Sequence, residues 1–141
     1  MQSTRVWALC MWMAGSAALY GCGDDEDKDA ESEEGEDLGK ATGAVCVSTL
    51  TYATDVAPLM TKYCTTCHAK AVTGAARRDA PTDHNFETQA GVLAEATHVD
   101  HNAGSGPSAT NTLMPPPAAQ LPAPTTTERA TLASWLACQT K

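Results

Sequence analysis

The stretch YCTTCHAK, residues 63–70, constrains the fold and chemistry of this chain more than any other. Cys64 and Cys67 are separated by two residues, and His68 follows the second cysteine directly. Two cysteines at this spacing serve three chemistries in proteins: a redox dithiol, half of a tetrahedral metal site, and the covalent attachment of haem. The rest of the sequence has to distinguish between them.

Covalent haem attachment explains the motif best. A structural zinc site needs four ligands, commonly from two such pairs, and the sequence has one pair with no second cluster. A thioredoxin-like dithiol accompanies alternating strands and helices, and no segment has a convincing strand pattern. In haem attachment the two thiols add to the vinyl groups, and the adjacent imidazole is held beneath the iron. We therefore expect one haem c per chain, bound through Cys64 and Cys67, with His68 as an axial ligand.

The first 21 residues have the features of an export signal. Arg5 precedes an apolar run that is too short to span a membrane, since a spanning helix needs about 20 apolar residues. The run ends in LYGC, residues 19–22, which resembles the lipobox of bacterial lipoproteins. That resemblance implies cleavage before Cys22, lipidation of its thiol, and anchoring on the periplasmic side of a bacterial membrane. The alternative is an ordinary secretory signal with a chance cysteine.

Residues 22–44 are predicted to form an acidic, disordered tether. The segment contains ten acidic residues, which repel one another and offer no apolar face to bury. An acidic docking arm for a basic partner is the alternative. Residues 38–141 contain seven acidic and seven basic residues, so the tether accounts for the net charge of −8. The predicted domain, residues 45–141, has no basic cluster of the kind that binds nucleic acid.

Cys10 lies in the export signal, so two of the six cysteines remain, one at each end of the predicted domain. Exported proteins fold in an oxidising compartment, where leftover cysteines usually pair, so a disulfide between Cys46 and Cys138 is expected. It would close a loop of about 90 residues, which is worth up to roughly 4 kcal/mol in the chain-entropy model. Two unpaired thiols are the alternative.

Apolar spacing predicts a helix that leads into the cysteine motif. Thr54 is a plausible N-cap, and Pro58 is tolerated because it lies near the first turn. One stripe of this helix carries Val56, Leu59, Met60 and Tyr63.

Two further helices are predicted. One covers residues 86–96, with Asn85 as its cap and Phe86, Ala90 and Leu93 on one face. The other ends the domain: Thr125 and Glu128 have capping-box spacing, and Leu132, Trp135 and Leu136 form its buried stripe. Residues 97–124 have no regular pattern and are predicted to be a long loop.

Residues 52–138 resemble a bacterial monohaem class I c-type cytochrome domain. The resemblance rests on the order of the pieces DVAPLMTKYCTTCH, LMPP and ERATLASWLAC. It implies a small all-α domain wrapped around one covalent haem, acting as an electron carrier for redox protein partners rather than as an enzyme. In that family the first and last helices cross, which would bring Cys46 and Cys138 into the same neighbourhood. A haem subunit of a periplasmic oxidoreductase, a small peroxidase and a haem-based sensor are the alternatives.

The second axial ligand is predicted to be Met114. Met60 lies on the stripe of the first helix and is better explained as core, whereas the three prolines after Met114 stiffen its loop. A thioether also stabilises ferrous iron more than a second imidazole does. His98 and His101 are the competing ligands, and His84 is more remote in the sequence.

Overall fold

The structure is a computed structural model that describes residues 39–139. Within that range the regular structure is helical, and extended residues pair only in an isolated bridge between Ser105 and Thr110. The described range is therefore all-α. We number its α-helices α1 (Ala57–Tyr63), α2 (Gln89–Ala94), α3 (Ala96–Ala103) and α4 (Thr126–Leu136). A π-helical turn, Tyr52–Val56, precedes α1, and short 3-10 turns cover Gly74–Arg77 and Pro117–Ala119.

The helical segment before the cysteine motif begins earlier than predicted. Its cap is Thr51, whose side chain accepts a hydrogen bond from the Thr54 amide, so the prediction of Thr54 as the cap was wrong. Thr51 can cap because its extended backbone leaves the hydroxyl facing the first free amides. Pro58 is the second residue of α1 and follows the π-helical turn directly.

The second helix, α2, is shorter than predicted, and the side chain it buries completely is not one of those predicted. Thr88 caps α2 by accepting from the Gly91 amide, whereas Asn85 lies outside the helix. Phe86 is buried but also precedes the helix. The side chain that α2 buries completely is Val92, and the predicted Ala90 is exposed. Of the predicted face, Phe86 and Leu93 do contact the core, whereas Ala90 does not, because the helix begins at Gln89 rather than at Phe86.

Helix α3 occupies the beginning of the stretch that was predicted to be a loop. Its sequence, ATHVDHNA, carries one large apolar residue, Val99, so it has almost no apolar periodicity. Side-chain hydrogen bonds contribute instead: the Asn102 amide donates to the His98 carbonyl, and Asp100 accepts from Thr42. Tertiary contacts therefore fix a helix that local pattern does not predict.

Helix α4 agrees with prediction. Thr125 and Glu128 form a reciprocal capping box, and Leu132, Trp135 and Leu136 are buried. The helix packs on α3 and on the π-helical turn, where the Tyr52 and Trp135 rings lie 5.6 Å apart. It also contacts α1, because the Tyr63 hydroxyl donates to the Glu128 carboxylate at 3.0 Å. The core between these elements contains Val56, Met60, Phe86, Val92, Val99, Ala103, Leu132, Trp135 and Leu136.

The start of the described range is held against α3, although the predicted tether included it up to residue 44. The Lys40 amide donates to the side chain of Asn111, and Thr42 donates through its amide and hydroxyl to the Asp100 carboxylate at 3.0 and 2.7 Å. Thr42 is itself buried. The folded part therefore extends N-terminal to the predicted boundary at residue 45.

Cys46 and Cys138 lie at disulfide distance, with their sulfur atoms 2.08 Å and their Cα atoms 4.6 Å apart. The link ties the N-terminal segment to the residues just after α4. The predicted export signal and the lipidated Cys22 lie outside the described residues. Among residues 39–139, no helix is both long and apolar enough to cross a membrane.

Candidate cofactor site

The cysteine motif lines a cleft between α1, α3 and α4. Cys64, Cys67 and His68 all line this cleft, and so does Met114, which lies further along the chain. The cleft measures about 750 Å³, including solvent at its mouth. Its other lining residues are mostly apolar: Leu59, Met60, Tyr63, Phe86, Val99, Ala103, Pro115, Pro116, Leu121, Pro124 and Leu132, with His98, Asn102, Glu128 and Arg129.

Backbone hydrogen bonds continue from α1 into the cysteine motif. The Cys64 amide donates to the Met60 carbonyl at 2.9 Å, and the His68 amide donates to the Cys64 carbonyl at 2.9 Å. The chain therefore continues to coil through the motif, which keeps both cysteines and the histidine beside the same cleft. Cys64 and Cys67 are not bonded to each other.

His68 is a buried, neutral imidazole. Its ring stacks on Phe86 with 4.7 Å between ring centroids, and burial lowers its pKa to about 4. Its buried Nδ1 meets no hydrogen-bond partner in the described part of the chain. Buried polar atoms are seldom left unpaired, and those that are often have a functional role. An imidazole that is neutral at physiological pH is also the form that binds a metal.

Arg77 holds the loop that supports His68. It is buried, and its guanidinium donates to the carbonyls of Ala69 at 2.9 Å and His84 at 2.8 Å, among other backbone oxygens of the loop. The loop returns to the motif where the Phe86 amide donates to the His68 carbonyl at 2.8 Å. Sequence reasoning missed Arg77, because in the sequence it is one of several arginines that balance the acidic residues.

The geometry gives little support to the two competing chemistries of the motif. Reactive dithiols contain a thiol of lowered pKa, whereas burial raises the pKa of the Cys64 thiol to about 12. A structural zinc ion needs four converging ligands. Across residues 39–139, no group of three or more histidine, cysteine, aspartate or glutamate side chains is placed to hold a metal ion.

Two of the predicted second ligands share the cleft. Met114 is half-buried, and its amide donates to the Asn102 carbonyl at 3.0 Å, which fixes the loop against the end of α3. His98 projects from α3 into the same cleft. His101 instead lines a separate cavity beside Thr42, so the structure does not bring it to the motif.

His84 lies much closer to the motif than its sequence position suggested. It is buried, its ring lies 6.2 Å from that of His68 and 4.6 Å from that of His98, and its Nε2 lies 3.5 Å from the Glu95 carboxylate. It lines a second cleft of about 830 Å³ that shares Cys67, His68 and Met114 with the first. The two clefts therefore meet at the motif.

Arg129 forms, beside Glu128, a charged part of a mostly apolar wall. It is only 3% exposed, and its Nη1 donates to the carbonyls of Ala103 at 3.0 Å and Asn111 at 2.9 Å. Sequence reasoning missed this residue as well. Its position beside Leu132 on α4 could have indicated burial, because both lie on the helix face that carries the apolar stripe.

The described residues fit a haem. Two thiols and a neutral imidazole lie on the wall of an apolar cleft, which suits a flat apolar macrocycle attached by two thioethers. Met60 and Leu132 extend the apolar lining into the core. Comparison with protein-family models, curated proteins and solved structures finds no match for this chain.

Proposed function

We propose that this domain binds one haem c through Cys64 and Cys67 and carries electrons between redox proteins. The observation that supports it most directly is the convergence of both thiols, His68 and Met114 on one apolar cleft. When bound, the haem would supply one-electron chemistry by cycling its iron between the ferric and ferrous states. The family resemblance of residues 52–138 points to the same function.

The roles of the chain's own residues follow from their positions. His68 would bind the iron as a neutral imidazole, oriented by its stacking on Phe86 and by the loop that Arg77 holds. Met114 would bind the iron as well, presented by the loop that is fixed to Asn102. Apolar side chains around the cleft would exclude water from the haem, which limits reorganisation during electron transfer. With His68 and Met114 both holding the iron, a substrate would have no site on it.

We also propose that the domain is a lipoprotein, anchored through Cys22 on the periplasmic side of a bacterial membrane. Support comes from the LYGC sequence and from the acidic segment that follows it.

The attachment of haem can be tested on a denaturing gel stained for haem. The protein is produced in a bacterial host that matures c-type cytochromes. Wild-type protein should stain, and the double variant Cys64→Ala, Cys67→Ala should not, because no thioether can form. The double variant Cys46→Ser, Cys138→Ser removes the same number of thiols away from the cleft and should still stain. Staining that survives loss of Cys64 and Cys67 would refute the proposal.

A further inference from the structure

We propose that Arg129 raises the reduction potential of this site by holding a buried positive charge in the cleft wall. The inference rests on the proposed function and assigns one residue that sets the potential of the carrier. It starts from an unusual combination: Arg129 is only 3% exposed, and it lines the cleft of the cysteine motif.

The charge of Arg129 is fixed in place by neutral groups. Its Nη1 donates to the carbonyls of Ala103 and Asn111 at 3.0 and 2.9 Å, and its Nε donates to the Pro124 carbonyl at 3.3 Å. These oxygens belong to the end of α3, to the loop before Met114 and to the segment before α4. Arg129 takes part in none of the ion pairs formed by residues 39–139. Within the described part of the chain, its positive charge is therefore satisfied by hydrogen bonds to neutral carbonyls rather than by an ion pair.

The charged neighbour on the same wall is balanced. Glu128 accepts from the Thr125 amide at 2.7 Å and from the Tyr63 hydroxyl at 3.0 Å, and Lys62 lies 3.5 Å away. Its side chain is 25% exposed, so solvent also screens it. The field of Arg129 inside the cleft is therefore not cancelled by the adjacent carboxylate.

The sign of the effect follows from the charge change on reduction. One electron from a partner protein or electrode converts ferric to ferrous iron, and the charge of the site falls by one with no proton required. A nearby positive charge destabilises the ferric state more than the ferrous state, and low dielectric strengthens the interaction. Arg129 and Cys64 line the same cleft, so the charge lies in the wall that would face the cofactor. Its charge should therefore favour reduction.

Removing the charge of Arg129 should lower the reduction potential in two ways. The attraction for the electron is lost, and the carbonyls that bound the guanidinium become a negative influence on the site. The carbonyl oxygens of Ala103, Asn111 and Pro124 would remain oriented toward the emptied position. Their negative ends would then add to the stabilisation of ferric iron. A neutral side chain at residue 129 is therefore expected to shift the reduction equilibrium on the order of tenfold toward the ferric state, equivalent to 59 mV for one electron.

The test is a redox titration of purified protein against an electrode, with three variants at one position. Arg129→Met and Arg129→Gln remove the charge and should lower the reduction potential by about 59 mV. Arg129→Lys keeps the charge and should retain the wild-type potential, while its unfolding midpoint should fall because the carbonyls lose their planar donor. Lys70→Met removes an exposed charge near the motif and should leave the potential unchanged, because solvent screens it.

The outcomes separate this inference from the proposed function. A pyridine haemochrome spectrum is recorded first on each protein, and absence of haem from the wild type would refute the proposed function itself. With haem present, an unchanged potential in the neutral variants would overturn the role of Arg129. Should the neutral variants fail to fold, Arg129→Lys provides the test. If the potential of this charged variant is also lower than that of the wild type by about 59 mV, packing rather than charge sets the potential.

Discussion

At the scale of single residues, the environment of His68 is determined by groups distant in sequence. Its amide is fixed by Cys64, its carbonyl by the Phe86 amide, and its ring by stacking on Phe86. The chemistry of His68 can be predicted from the motif alone, because Cys64, Cys67 and His68 lie close together in the sequence. Phe86 and Arg77 could not be predicted as its supports, because their roles depend on how a loop with little apolar pattern returns to the motif.

Met114 is the residue whose role is most open to a spectroscopic test. Ferric protein should have the weak absorption band at the red end of the spectrum that marks iron–thioether ligation. Met114→Ala should remove that band and lower the reduction potential, because a thioether stabilises ferrous iron. The absorption spectrum and a redox titration measure both effects.

A matched control is available in Met60. It also lines the cleft but is 1% exposed and packs in the core, so Met60→Leu conserves volume and should keep the band. If the wild type lacks the band and His98→Ala alone opens the iron to added ligands, His98 rather than Met114 is the second ligand.

At the scale of elements, the sequence predicts best where a helix carries both a cap and an apolar stripe. Helix α4 has both, and its capping box and buried face were predicted correctly. Helix α2 has a weak stripe interrupted by Gly91, and its start was predicted wrongly, although Phe86 and Leu93 of the predicted face do contact the core. Helix α3 was missed because Asp100, Asn102 and the N-terminal segment stabilise it through hydrogen bonds rather than through an apolar face.

Glu128 should make the stability of the α4 end depend on pH. Hydrogen bonds from the Thr125 backbone and hydroxyl are the main causes that lower the pKa of Glu128, from 4.5 to about 2. The folded state therefore favours the ionised form, and the stability it contributes is complete above pH 4.5 and lost as the pH falls toward about 2. Glu128→Gln should lower the thermal midpoint at pH 7.

Glu128→Gln also tests the direction of this pH dependence. Because glutamine keeps an acceptor but cannot ionise, the difference in midpoint between wild type and Glu128→Gln should shrink as the pH is lowered from 4.5 to about 2. Thermal unfolding followed by circular dichroism measures it. A difference that stays constant over that range would mean that the charge of Glu128 does not contribute.

At the scale of the whole molecule, the two ends of the described domain are held together. Residues 39–44 bind α3 through Thr42 and Asn111, and the link between Cys46 and Cys138 joins the same segment to the end of α4. The cysteine count predicted this pairing, together with the helix order that the family resemblance implies. The contacts of residues 39–44 were not predicted, because a short polar segment beside an acidic run resembles a tether in composition.

The proposed lipid anchor should be separable from the folded domain. Changing Cys22 to Ser should move the protein from the membrane fraction to the soluble fraction, while haem staining persists, because Cys64 and Cys67, which are proposed to attach the haem, are unchanged. Mass spectrometry of the wild-type membrane fraction should find an acylated Cys22. A wild-type protein recovered soluble with an unmodified N-terminus would contradict the anchor.

The pyridine haemochrome spectrum of the exported wild-type protein tests the central claim most directly. Two thioether links replace both vinyl groups, which shifts the reduced spectrum to the position that is characteristic of haem c. We expect that spectrum, with one haem per chain and with the pigment remaining in the protein after extraction with acidified acetone. A haem that extracts freely, or a spectrum with unreacted vinyl groups, would contradict the claim that Cys64 and Cys67 attach the cofactor.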